Sequence, residues 1–204
     1  MAKLKTSQKI IDCATRMFAE HGYAGTIMDE LAEQCSVNKA SIYYHHKDKA
    51  TLYDNALTAL FTPIANTVIE AVETVDTPVE KLEHHIKIFA KTCAENPYFS
   101  AILMREMASG GANMPARARE QMQRILFMLN QILQSGASQH IFKPADPLII
   151  HFMILGTINL YITTIPLRQS LPENDECNQL NNTDIEPASE QLYKTIVDSL
   201  LIKQ

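Results

Sequence analysis

An all-α fold is what this sequence predicts, and three features predict it. Gly (6) and Pro (9) are sparse in 204 residues, β-branched alternation is rare, and apolar residues recur at helical spacing along the chain. Hydrophobic residues make up 46% and charged residues 20%, enough apolar mass for a core and too little charge for chain-wide disorder. The N-terminal MAKLKTSQKIID carries no apolar run or small-residue cleavage site, so no secretory signal is expected. Leu148 to Ile165 is the most apolar stretch, but His151, Gly156 and Asn159 interrupt it and basic flanks are missing. A bilayer span needs ~20 mostly apolar residues. A buried helix of a soluble, cytoplasmic protein is the expectation.

The first helix carries Ile10, Ile11, Ala14, Met17 and Phe18 on one stripe, is capped by Thr6 or Ser7, and ends at Gly22. A short second helix follows, with Thr26 and Asp29 at capping-box spacing and Met28, Leu31, Ala32 and Cys35 apolar. Cys35-Ser36-Val37 reads as a tight turn, Asn38 as an N-cap, and Lys39 to His46 as a third helix. Asp48 caps a fourth helix from Lys49. Helix, short helix, three-residue turn, short helix is the layout of a helix-turn-helix, whose last helix enters the major groove of DNA.

That layout gives a role to a cluster of donors. Asn38, Lys39 and Ser41 sit at a helix N-terminus, where base edges are met. Tyr43, Tyr44, His45, Lys47 and Lys49 offer O–H and N–H groups at the height of phosphates, and Thr26 opens the preceding helix, where free N–H groups favour an anion. The formal net charge of -5 does not oppose this. Residues 1–49 hold seven Lys/Arg against six Asp/Glu, so the acidity lies in the remainder. Screening over ~8 Å makes the local balance decisive.

The span IIDCATRMFAEHGYAGTIMDELAEQCSVNKASIYYHHKDKATLYDNAL, from Ile10 to about Leu57, resembles the N-terminal domain of tetracycline-repressor (TetR) family transcription regulators. FAEHGY, T-x-M-D-x-L-A and V-N-K-A-S-I-Y-Y-H followed by KDK carry the resemblance. It implies a DNA-binding domain at 1–48 and a larger helical ligand-binding and dimerisation domain at 49–204. It places Lys39, Ser41, Tyr43, Tyr44 and His45 on the DNA-reading helix, and Thr26 and Lys49 at phosphates. Three positions depart from the family pattern. Ser36 and Ala40 stand where glycine is usual, the second at a point of close approach to DNA. His46 stands where an aromatic closes the small core; it is either a buried neutral substitute or a DNA-facing, pH-sensitive group.

Beyond residue 49 the capping signals predict helices to the C-terminus. The fourth runs to about Glu73 with a kink near Pro63. Thr77-Pro78 opens a fifth, with Leu82, Ile86, Phe89, Ala90 and Cys93 on one face. Asn96-Pro97 opens a sixth ending at Gly110-Gly111, residues 115–138 form a seventh, and Asp146-Pro147 opens an eighth reaching about Ile165. Residues 168–187 read as a loop, and a ninth helix covers about 187–202. The eighth helix is apolar nearly all round and so must be covered on more than one side. The resemblance implies a homodimer through this helix and the last one (about 147–166 and 187–202), reading a palindromic double-stranded operator.

Helices five to eight should enclose a pocket for a small molecule whose identity the sequence does not give. Phe89, Met104, Met107, Met122, Met128, His151 and Asn159 are the candidate lining, since thioethers fill irregular space. Ordinary core packing is the alternative for each, as it is for Met153, His85 and Tyr161. No cofactor, catalytic group or metal site is expected. Nucleophile–base pairs and glycine-rich phosphate loops are missing, and His84 and His85 diverge on a helix. Cys13, Cys35, Cys93 and Cys177 form no CxxC pair; the first three suit packing and Cys177 an exposed thiol. A protein-interaction adaptor that has lost DNA binding is the competing function, and salt dependence of binding separates the two.

Overall fold

The computed structural model describes residues 2–171 and 182–202. Their helices are α1 (Ala2–Gly25), α2 (Met28–Gln34), α3 (Lys39–His46), α4 (Lys49–Glu73), α5 (Pro78–Glu95), α6 (Pro97–Ala108), α7 (Ala116–Ser138), α8 (Pro147–Thr163), α9 (Ile165–Gln169) and α10 (Ile185–Leu200). A single antiparallel bridge, Phe142 to Leu201, is the only β pairing among the described residues. The chain forms two compact units. One comprises Met1–Pro63 with Ala101–Met122, the other Ile64–Ser100 with Gln123–Gln204.

In the first unit α1, α2 and α3 pack on one another around Ile10, Ala14, Phe18, Leu31 and Ile42. The Phe18 ring meets Tyr53 edge-on at 4.7 Å, and Tyr23 lies 4.9 Å from Tyr53. The Tyr53 hydroxyl donates to the buried Glu106 carboxylate at 2.7 Å, and burial pushes its ionisation up. Gly22 breaks the helical geometry of α1 at φ 72°, ψ 174°, a conformation that suits a residue without Cβ. The break leaves carbonyls without helical partners. Arg105 supplies Nε to Ala19 O at 2.9 Å and Nη2 to Glu20 O at 2.7 Å.

In the second unit α5, α8 and α10 pack together. Leu82, Ile86, Phe89, Ala90 and Cys93 of α5 face Leu192, Ile196, Val197 and Leu200 of α10 as buried stripes. Residues 136–142 turn back on α7 because Gly136 leaves room for the Phe142 ring; an added Cβ would lie 2.0 Å from it.

Two expectations need correction. The Thr26–Asp29 capping box is absent: α2 has Ile27 at its N-cap with no side-chain bond, because the Thr26 hydroxyl turns inward. Helix α4, as expected, continues beyond Pro63 to Glu73. The stretch 168–187 is not wholly loop, since α9 includes Arg168 and Gln169 and α10 starts at Ile185, capped by Asp184. Within it, Pro172, Cys177 and Asn181 lie outside the described residues. The apolar stripe of α10 packs within the chain, and its exposed positions Glu186, Gln191, Lys194 and Asp198 are polar.

Candidate nucleic-acid interface

Local chemistry sets the reading helix in place. Ser36 takes φ 51° in the turn, and Asn38 caps α3 by accepting from the Ala40 N–H at 2.9 Å. Ile42 and His46, four residues apart, are the buried side of α3. The opposite side is therefore presented to solvent: Ala40, Tyr43 and Tyr44 are exposed, and Lys39, Ser41 and His45 are half-buried. Tyr44 is 70% exposed, with its ring edge-on to His45 at 5.3 Å. Asp48 then caps α4 by accepting from the Thr51 N–H at 2.7 Å.

Two cations at this face are already engaged. Lys39 Nζ lies 2.7 Å from Asp29 Oδ1, and that hydrogen bond raises the lysine's pKa. Both side chains are substantially exposed, so a phosphate or base edge competes with Asp29 in water. Lys49 Nζ sits 4.7 Å above the Tyr23 ring and 3.4 Å from Ala24 O, and partial burial lowers its pKa. Thr26 does not face outward as the sequence suggested: it is 2% exposed, and both its hydroxyl (2.8 Å) and its N–H (3.2 Å) donate to Gly22 O. Carboxylates crowd the nearby α1–α2 surface. A cavity of about 410 Å³ there is lined by Arg16, His21, Glu20, Glu30 and Glu33 among others.

His46 is the buried substitute rather than a DNA-facing group. Its ring is 2% exposed, with Nδ1 3.2 Å from Asn55 Nδ2 and Nε2 3.4 Å from Ser7 Oγ. Burial, then His45, lowers its pKa. Sequence reasoning missed Asn55, Arg117 and Asp29 as partners of this face, since Arg117 and Asn55 stand 62 positions apart and no local pattern joins them.

The candidate ligand residues divide. Met104, Met107 and Met122 belong to the first unit, and Phe89, Met128, His151 and Asn159 to the second. Met107 is exposed at the end of α6, while Phe89, His151 and Asn159 are buried. In the second unit a cavity of about 560 Å³ lies between α5 and α10, lined by Lys87, Ile88, Lys91, Ile185 and Glu190 among others, and none of the seven lines it. The interior holds bare polar atoms instead: both ring nitrogens of His85, and Asn159 Oδ1. Burial, with His151 next, pushes His85 down to about 3. No group of three His, Cys, Asp or Glu side chains could hold a metal among the described residues, and no helix there is long and apolar enough to cross a membrane.

Comparison with known proteins agrees with this geometry. The chain is 27% identical over 157 residues to the uncharacterized HTH-type transcriptional regulator YhgD of Bacillus subtilis (strain 168), spanning 76% of this chain and 80% of that protein. It is 38% identical over 61 residues to IcaR of Staphylococcus aureus (strain Newman), the biofilm operon icaADBC HTH-type negative transcriptional regulator, over 30% of this chain and 33% of that one. In fold it is similar to the transcriptional regulator FadR from Bacillus subtilis in complex with stearoyl-CoA, at TM-score 0.72 and 22% identity, covering 94% of this chain and 98% of that one. Residues 10–56 match the bacterial regulatory proteins of the tetR family, and residues 78–186 match the tetracyclin repressor-like C-terminal domain. The chain belongs to the tetR family of DNA-binding transcriptional regulators.

Proposed function

We propose that this regulator is a repressor whose homodimer binds a palindromic operator in the cytoplasm and is released by a small molecule held in the C-terminal helical domain. One observation carries the DNA half of the reading: α3 is pinned by Ile42 and His46 and turns Lys39, Ala40, Ser41, Tyr43, Tyr44 and His45 outward together. Asn38 holds the helix N-terminus, and Lys49 stands beside it for phosphate. Thr26, buried and bonded to Gly22 O, supports the start of α2 from within. The repressor sense follows the similarity to IcaR, a negative regulator.

The dimer rests on α8. Its inner side, including Ile154 and Ile158, is buried, while Leu148, Ile149, Phe152 and Leu160 remain about half exposed on the other side. Gly156 lies on that same stripe with open space at its Cβ position, so a partner backbone can approach. The ligand half rests on the bare polar atoms of His85 and Asn159 and on the stearoyl-CoA complex of a protein of similar fold. A ligand acts by favouring the conformation that DNA does not.

Fluorescence anisotropy with duplexes selected from a random library tests this. Affinity should fall with salt at a slope of about -0.9 per neutralised phosphate. Lys49→Ala should weaken all duplexes alike, whereas Lys39→Ala or Ser41→Ala should also relax sequence preference. A salt-independent complex, or no selected duplex, removes the reading.

A further inference from the structure

We propose that His46 is a positioning residue for the reading helix, locked in one neutral tautomer by Asn55, whose amide Arg117 orients. The inference rests on α3 being the DNA-reading helix, and it adds what holds that helix at its C-terminal end.

The geometry assigns every hydrogen. Arg117 Nη2 lies 2.8 Å from Asn55 Oδ1, and the same guanidinium grips Asp54 with Nε at 3.1 and 3.0 Å and Nη2 at 2.8 Å. A guanidinium only donates, so the Asn55 atom facing it must be oxygen and the NH2 must face His46. That NH2 lies 3.2 Å from Nδ1, which therefore accepts and carries no proton. The ring proton is left on Nε2, which donates to Ser7 Oγ at 3.4 Å. One chain of bonds thus runs from α7 through α4 to the last residue of α3 and on to α1.

Protonating the ring places a second N–H at Nδ1, directed at the NH2 of Asn55. Donor then meets donor inside the protein, and the contact opens. The groups around the ring are Ser7 of α1, Asn55 of α4 and His45 of α3, with Arg117 and Asp54 behind Asn55. Among the described residues no carboxylate hydrogen-bonds the ring to offset the charge. Opening matters here because His46 ends α3 and Lys47 follows at φ 55°, ψ -56°, the joint into α4. A loosened joint lets the face from Lys39 to His45 swing off the DNA.

The test uses the full chain with ¹⁵N-labelled histidine, followed from pH 8 to 5, and a duplex selected from a random library by the unaltered protein. His46 should show the Nε2–H tautomer and titrate below its ordinary 6.5. Asn55→Asp supplies an acceptor at Nδ1, so its His46 should titrate above 6.5. Measured against the parent at the same pH, that variant should gain about tenfold in DNA affinity between pH 7.5 and 5.5, equivalent to one charge-assisted hydrogen bond. Taking the ratio cancels the exposed histidines. Arg117→Gln frees the Asn55 amide to flip, and His46 should then show both tautomers in a folded protein. An Nδ1–H tautomer in the parent, or an Asn55→Asp affinity that tracks the parent at both pH values, overturns the proposal. A library that returns no duplex removes the DNA reading instead, and the ring spectrum still decides the tautomer.

Discussion

His84 and His85 are neighbours in sequence and opposites in environment. His84 bonds Ala71 O through Nδ1 at 2.9 Å, while His85 is 0% exposed with neither nitrogen partnered. The unfolded chain binds a proton at His85 near pH 6.5, whereas the folded chain resists until about 3. Between those values the unfolded state holds more protons, so stability present above pH 6.5 is lost as pH falls, by up to about 5 kcal/mol. His85→Leu should flatten the loss and be no less stable at pH 7, since a bare buried polar group disappears. Urea midpoints from pH 8 to 4 check this; parallel curves for the two proteins refute it. The helix period makes it legible that adjacent histidines diverge, but not that one of them is buried without a hydrogen-bond partner, near the buried His151. Residues read by local pattern fared by the same rule. Asn38 caps its own helix as its sequence neighbours require, yet Thr26 serves a carbonyl four positions back rather than the helix ahead.

Helix ends show where such local rules suffice. Thr77 and Glu80 form a reciprocal capping box at α5, with Thr77 Oγ1 accepting from the Glu80 N–H at 3.2 Å and the Glu80 carboxylate accepting from the Thr77 N–H at 3.2 Å. Hydrogen bonds to the Thr77 side chain and backbone also hold the Glu80 carboxyl below its usual range. Pro78 at the first helical position completes the signal, and sequence alone locates it. Thr77→Ala should cost about 1 kcal/mol, read as a lower urea midpoint with unchanged slope. An unchanged midpoint means that the packing of α5 on α10 sets this end by itself. The start of α2 lacks such self-sufficiency, because Ile27 fills the cap position and the helix begins where tertiary packing permits. Arg105, which closes the broken end of α1, acts across 86 positions, and nothing in the local sequence announces it.

At the scale of the molecule the sequence marks α8 as too apolar for one buried side, and the structure divides its surface in two. Ile150, His151, Ile154, Ile158 and Ile162 face the protein, while Leu148, Ile149, Phe152 and Leu160 face out. Covering the exposed halves of these four side chains on each of two copies would contribute on the order of 10 kcal/mol before association costs. Two copies joined on this stripe and bound at once gain avidity of about 100-fold or more over one. Phe152→Glu with Leu160→Glu places two carboxylates on this stripe without touching the buried side. The doubly substituted chain should run as a monomer in light scattering, keep its helical circular dichroism, and lose about 100-fold in affinity for a palindromic duplex. Its affinity for a single half-site should stay within about twofold of the parent, since α3 is unaltered. A chain that remains dimeric with both carboxylates in place shows that copies meet on another surface. One that turns monomeric yet holds the palindrome as tightly shows that a single reading helix supplies the whole affinity, and then the outward stripe of α8 must serve some partner other than a second copy.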